Sequence, residues 1–292
     1  MNEIKGISII ENASLKNFNT YKLESSCRYL IKVETIEGLI AILKYLQKNK
    51  IKTFILGAGS NIIIDDYFDG AVLKLTGIKK IEVQDDKIIC EAGAMMASLA
   101  CSAIDENLTG LEWAINIPGT VGGSIVGNAG AYNKEIFDSL ISIDIIDENL
   151  EIKTLKKEEI EHSYRHTSLK DKPWIVIKAT FKLSLGNKEE SLKLIEDRKE
   201  RRRATQPLDM ASAGSVFRNP ANDHAGRLIE EAGLKGKKIG DAMVSPKHAN
   251  FIVNTGNATS KDVKNLIELV HTQVKEKFGV DLKLEQEIID WR

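Results

Sequence analysis

Two glycine-rich runs and three scattered polar residues hold the chemistry that this chain of 292 residues offers. Leu56-Gly57-Ala58-Gly59-Ser60-Asn61 follows directly on an apolar stretch, Lys52 to Leu56. Glycine tolerates positive φ, so successive N–H groups can turn into one concavity that suits a phosphate, with the Ser60 and Asn61 side chains as added donors. Ile62 stands where the dinucleotide fingerprint has its third glycine and no Walker A run occurs, so a tight turn between strands is the plain alternative. The second run, Ile117 to Tyr132, has glycines at 119, 122, 123, 127 and 130, and its large polar side chains are Asn128 and Tyr132. Glycine costs backbone entropy, so such a density in an apolar segment predicts another molecule's surface lying against the main chain. Two such nests are consistent with a dinucleotide bound along the backbone, its pyrophosphate at one of them.

The remaining polar candidates are bland when read alone. Arg165, in Tyr164-Arg165-His166-Thr167, reads as a surface ion-pair residue. Ser215 lies among turn formers in Ala213-Gly214-Ser215-Val216-Phe217-Arg218-Asn219-Pro220 and reads as a turn or capping hydroxyl, and Glu287 as the wet side of an alternating strand. The basic run Arg198, Lys199, Arg201, Arg202, Arg203 is the polar face of a helix or a landing site for a phosphorylated ligand. His162 and His166 are four apart with no third ligand evident, so no metal is expected.

These residues must be carried by elements that the pattern of apolar residues predicts. Leu39, Ile42, Leu43 and Leu46 place a helix over about 35–49, followed by a strand over 52–56. Short strands are expected at 62–64, 71–75, 79–84 and 87–91, then a helix over 95–107. A hairpin through Asp147-Glu148-Asn149 joins strands at 139–147 and 150–154. Alternation of Ile175, Ile177, Ala179, Phe181 and Leu183 with Lys178, Thr180, Lys182 and Ser184 marks a strand with one wet face. The charged segment 187–203 reads as a solvated helix and as a linker, giving a cut near residue 190. Beyond it come a helix stopped by Gly233, strands at 238–244 and 251–254, a helix with Val263, Leu266, Ile267, Val270 and Val274 on one face and Thr259 and Asp262 at its start, and a strand over 280–289.

Composition bounds the class. With 41 Lys+Arg against 42 Asp+Glu the net charge is -1, which removes the footprint of a general nucleic-acid or membrane-surface binder. Three cysteines, Cys27, Cys90 and Cys101, are too few and too scattered for a disulfide framework. Neither a secretory signal nor a membrane span is apparent, so a soluble cytoplasmic α+β protein of about two domains is expected. We expect a monomer.

The ordered set LGAGSN, IPGTVGGSIVGNAGAY, SYRHTSLK, QPLDMASAGSVFRNP, AGRLIEEAGLKG, KHANFIVN and LKLEQE, from residue 56 to 287, resembles the UDP-N-acetylenolpyruvoylglucosamine reductase family, in its shorter class. The resemblance implies an FAD-binding region of the vanillyl-alcohol-oxidase (PCMH) type, made of two α+β lobes over residues 1–190, and a C-terminal UDP-sugar-binding domain over 191–292. It implies that NADPH reduces FAD, and that UDP-N-acetylglucosamine enolpyruvate then receives the hydride to give UDP-N-acetylmuramate. Arg165 matches the arginine that holds the substrate carboxylate, Ser215 the proton donor, and Glu287 the acid-stabilising carboxyl, which must then carry or share a proton. Gly57, Ala58, Gly59, Ser60, Asn61, Pro118, Gly119, Thr120, Gly122, Gly123 and Gly130 match flavin-contacting positions, with Gly59, Ser60 and Asn61 at the pyrophosphate. Tyr132, Asn219 and His248 match positions facing the UDP-sugar. The chain departs from the pattern at Asn19-Thr20-Tyr21, where Asn-Thr-Phe is usual, at Glu24-Ser25-Ser26-Cys27, which replaces a glycine-glycine-proline turn, and at the tail Ile288-Ile289-Asp290-Trp291-Arg292. An oxidase passing electrons to oxygen and a module that only senses a nucleotide are the alternatives. The first predicts a covalently tethered flavin, and the second leaves Arg165, Ser215 and Glu287 without a joint role.

Overall fold

The computed structural model describes residues 1 and 3–291 and divides the chain into two compact units. The first comprises Met1–Glu11, Tyr29–Ala58 and Gly70–Lys199; the second comprises Asn12–Arg28, Gly59–Asp69 and Glu200–Arg292. Two short early segments thus join the C-terminal part, something a single cut near residue 190 does not express. Arg292, the last residue of the divergent tail, lies outside the described residues.

Within the first unit, helix α1 (Ile36–Lys48) opens on Thr35, whose hydroxyl accepts from the Gly38 N–H at 3.0 Å. It buries Leu39, Ile42, Leu43 and Leu46, the stripe read from the sequence, against Ile31, Val33, Ala71 and Leu73. Those partners belong to a four-stranded sheet in the order Ile7–Ser14, Ser26–Val33, Tyr67–Leu75, Lys52–Ile55, the last two strands parallel. The strand Ile7–Ser14 was not anticipated; most of it is exposed and Asn12 sits at φ 49°, so no alternation marks it. A second core in the same unit lies on a five-stranded antiparallel sheet, Ile152–Lys156, Leu140–Ile146, Ile175–Lys182, Lys87–Glu91, Ile81–Gln84. Trp113, Phe137 and Phe181 are buried there with helix α2 (Met96–Asp105) and helix α3 (Val121–Val126). The expected hairpin turns through Asp147, whose carboxylate accepts from the N–H groups of Asn149 (2.9 Å) and Glu151 (2.8 Å).

The strand over 175–182 departs from simple alternation. A register shift opposite Asp144 and Ile145 breaks the alternation, with Val176 in the same core as Ala179 and Phe181 and Ile177 in the other, so both faces are covered at this end and the wet face is confined to the rest. Helix α4 (Lys188–Thr205) buries only Ser191 and Ile195, as its charge predicts.

In the second unit, helix α5 (Ala225–Glu231) and helix α6 (Ser260–Phe278) share a core with the strands Lys238–Ile239, Ala242–Val244 and Ile252–Asn254 and with Tyr21 and Leu23 of the early segment. Gly240, at φ 55°, turns the expected 238–244 strand back on itself. Thr259 and Asp262 form the reciprocal cap of α6, with N–H to oxygen distances of 3.1 and 2.9 Å, and Gly279 ends it at φ 68°. The expected 280–289 strand shrinks to Glu287–Ile289, paired in parallel with Ile62–Ile64. Among the described residues no helix is long and apolar enough to cross a membrane.

Candidate active site

The first unit brings the two glycine runs into contact. Strand pairing ends where the Leu56 N–H donates to Leu73 O at 2.9 Å, so the chain leaves its ladder at Gly57. A Cβ on Gly57 would stand 2.9 Å from Thr120 Oγ1 and 4.0 Å from Gly123 Cα. Lys74 Nζ donates to Gly57 O at 2.5 Å, and burial pushes the lysine's pKa below its ordinary value.

The second glycine run is not the bare extended chain that its composition suggested. It winds into α3, because Thr120 Oγ1 accepts from the Gly123 N–H at 3.3 Å and Val121 and Ile125 bury their side chains. Part of its glycine content is explained by the protein's own packing. A Cβ on Gly119 would lie 2.8 Å from Ser124 Oγ, one on Gly122 2.9 Å from Ala92 Cβ, and one on Gly130 would run into Lys134 O. Pro118 and Gly123 are exposed instead. What remains is Gly57 and Gly123, whose bare main chain lies on either side of Thr120 Oγ1 at the cap of α3, and main-chain N–H groups there are of the chemistry that holds a phosphate.

In the second unit Gly59 takes φ 67°, and a Cβ there would collide with Phe18 O. The Thr20 N–H donates to Gly59 O at 3.0 Å, so the segment around Asn19-Thr20-Tyr21 braces the turn. Asn61 Nδ2 donates to Glu285 O at 3.1 Å, and Asn61 O accepts from the Glu287 N–H at 2.9 Å. The carboxyl-bearing strand is therefore tied to the end of the first glycine run; Ala58 and Ser60 are half-buried.

Arg165 belongs to the first unit. His162–Ser163 and His166–Thr167 pair antiparallel, leaving Tyr164 and Arg165 as a two-residue turn in which Arg165 is held at φ 60°. A left-handed non-glycine residue costs about 1–3 kcal/mol and persists only where its surroundings enforce it. They do so here: Arg165 Nη2 donates to Gly130 O at 2.7 Å, Thr167 Oγ1 to Val126 O at 2.7 Å, and Asn128 Nδ2 to Ser163 O at 2.8 Å. Asn128 is fully buried and its Oδ1 has no donor among the described residues. Tyr132, at φ 55°, lies under the Arg198 guanidinium, 4.4 Å from the ring centre. Sequence reasoning gave Asn128 no place in the Arg165 turn and Arg198 none over Tyr132, although Asn128 stood out as a large polar residue in an apolar run.

Ser215 and Glu287 share the second unit, and main-chain hydrogen bonds join their segments. Ser215 bridges to Phe251 on one side, while the Glu285 N–H donates to Val216 O at 2.8 Å on the other. Asn250 locks the same segment through both backbone groups of Phe217, at 3.0 and 2.8 Å. Ser215 opens on a cleft of about 590 Å³ lined also by Thr205, Asn219, Arg227, Lys247 and His248. Asn219 Oδ1 accepts from the Ala225 N–H at 3.1 Å and His248 Nδ1 from the Asn250 N–H at 3.3 Å. Burial, aided by the charge of Lys235, pushes the His248 pKa below its ordinary value, so the ring is neutral at pH 7. Lys247 and Arg227 also line this cleft, the Arg227 guanidinium paired with Asp223 and Glu231, and they were invisible to sequence spacing because they lie on different elements.

Comparison with known proteins matches residues 206–289 to the UDP-N-acetylenolpyruvoylglucosamine reductase C-terminal domain and residues 27–156 to an FAD binding domain. A UDP-N-acetylenolpyruvoylglucosamine reductase of Caldanaerobacter subterraneus is 45% identical over 279 residues, covering 95% of this chain and 92% of the relative. The enzyme of the same name from Fusobacterium nucleatum is 41% identical, with 97% and 99% covered. Among solved structures, UDP-N-acetylenolpyruvylglucosamine reductase of Thermus caldophilus superposes with a TM-score of 0.82 at 33% identity, covering 97% of this chain and 99% of that one. The α+β class and the order of FAD-binding region and C-terminal domain agree with the expectation from sequence.

Proposed function

The chain belongs to the UDP-N-acetylenolpyruvoylglucosamine reductase family, FAD enzymes of peptidoglycan precursor synthesis, and from this we propose that it reduces UDP-N-acetylglucosamine enolpyruvate to UDP-N-acetylmuramate at the expense of NADPH. In this reading the main chain of Gly57, Ala58, Gly59, Ser60, Asn61, Pro118, Gly119, Thr120, Gly122, Gly123 and Gly130 holds FAD, with Gly59, Ser60 and Asn61 at the pyrophosphate. When bound, FAD supplies the hydride carrier between NADPH and the enolpyruvyl methylene carbon.

The residues of this chain then have to manage charge and a proton. Hydride addition at the methylene leaves negative charge on the neighbouring carbon and its carboxylate. The planar fork of Arg165 holds that carboxylate in two bonds, and a cation fixed there stabilises the charged state more than the substrate. Glu287 adds to this only while it carries a proton, since a carboxylate would repel the developing charge. The Ser215 hydroxyl delivers a proton to the second carbon, completing the lactyl ether. Tyr132, Asn219 and His248 face the UDP-sugar. The same reading has the enzyme work in the cytoplasm as a monomer, with no metal, nucleic-acid or membrane partner.

The observation that supports it best is Ser215 at the wall of a cleft, on a segment bonded through its main chain to Glu285, two residues before Glu287. The test is anaerobic. NADPH should bleach the flavin band of the purified protein, and the enolpyruvyl substrate should restore it with stoichiometric UDP-N-acetylmuramate. Restoration only by air would indicate an oxidase, and a band that NADPH leaves untouched would defeat the proposal.

A further inference from the structure

We propose that Tyr21 and Gln286 form a buried clamp that positions Ser215 against the strand of Glu287. The inference rests on the roles given above to those two residues. Gln286 is 3% exposed and Tyr21 is fully buried, in the same unit as Ser215 and Glu287. The Gln286 amide Nε2 donates to two successive carbonyls, Ala213 O and Gly214 O, at 3.1 Å each. Those carbonyls belong to the two residues immediately before Ser215, and Gly214 takes the left-handed φ of 76° that aims the chain into it. Gln286 is itself the residue immediately before Glu287. One side chain therefore spans from the segment of the proton donor to the strand of the carboxyl.

An amide can present either end, and a reversed Gln286 would aim its oxygen at two carbonyl oxygens. The Tyr21 hydroxyl opposes that reversal by donating to Gln286 Oε1 at 2.9 Å. Burial pushes the Tyr21 pKa up, so the hydroxyl keeps its proton at every working pH. Tyr21 is in turn fixed at its own carbonyl, which accepts from Asn254 Nδ2 at 2.9 Å. Both side chains are buried and would act through Ser215, so Gln286 and Tyr21 are positioning residues.

The test compares Tyr21→Phe and Gln286→Met with the parent holoenzyme. Flavin is reduced anaerobically with dithionite and mixed with the enolpyruvyl substrate in H2O and in D2O. A small displacement of a proton donor can cost orders of magnitude in rate, so we expect reoxidation to slow about tenfold in Tyr21→Phe and further in Gln286→Met. The solvent isotope effect should rise above the parent value as proton delivery becomes limiting, while flavin reduction by NADPH keeps its rate. Amide hydrogen exchange over residues 211–217 should quicken in both variants. Unchanged reoxidation and isotope effect, or equal slowing of both half-reactions with an unchanged isotope effect, would overturn the clamp. Should Gln286→Met not fold, Tyr21→Phe, which removes a single oxygen, decides alone. Ser215→Ala run in parallel separates the two ideas: if it reoxidises at the parent rate, the role of Ser215 fails and not the clamp.

Discussion

Ser215 is an alcohol asked to act as an acid, which it can do only towards a strongly basic carbon at hydrogen-bond range. Ser215→Ala is therefore expected to keep flavin reduction by NADPH and to slow reoxidation by the enolpyruvyl substrate by about a hundredfold or more, read by stopped-flow absorbance. Equal losses in the two half-reactions would show a structural role. His248 makes a different prediction, on stability. Its folded pKa is lowered by burial from the ordinary 6.5, so as pH falls the unfolded chain takes up this proton first. Stability linked to His248 is intact above about pH 6.5 and is lost as pH drops towards the folded value. His248→Gln should accordingly flatten the decline of the urea midpoint between about pH 7 and pH 5. Arg165 shows how far residue identity alone can mislead: its side chain reads as a surface charge, yet the backbone at φ 60° and the bond to Gly130 O mark an enforced position.

The glycine runs act as elements, and packing within the chain accounts for much of their composition. Gly119, Gly122 and Gly130 are small because other atoms of the same chain occupy the space, and Gly57 likewise abuts Thr120 Oγ1 at the cap of α3. Gly57→Ala should push Thr120 away, loosen that cap and weaken FAD binding, measured as a rise in the FAD dissociation constant by flavin fluorescence titration. An unaltered constant would remove Gly57 from the cofactor site. Apart from α3 the helices were legible from the sequence, since α1 and α6 bury the stripes that it displays and α6 carries the cap that Thr259 and Asp262 announced. Less legible were the short strands. Gly240 splits one, a register shift turns the face of another, and the strand ending at Ile289 narrows to three residues.

At the scale of the whole molecule, a cofactor that binds only the folded chain stabilises it by mass action, by about 2.7 kcal/mol at a hundredfold excess over its dissociation constant. Stripping FAD should lower the thermal midpoint and adding it back should restore the value in a concentration-dependent way; a midpoint indifferent to FAD would contradict the proposed site. The sequence by itself determined the class, the helices other than α3, the two glycine runs and, through seven ordered motifs, the family. These depend on composition, on local periodicity and on residues adjacent along the chain. Only the tertiary structure decided that residues 12–28 and 59–69 join the C-terminal part, that Thr120 meets Gly57, that Asn128 braces the Arg165 turn, and that Gln286 links Ser215 to Glu287. Each of these is a contact between segments distant in sequence or a choice of direction for a buried polar group. Such contacts are set by which apolar faces pack together and by the need to pair every buried donor and acceptor, and no local pattern records that outcome.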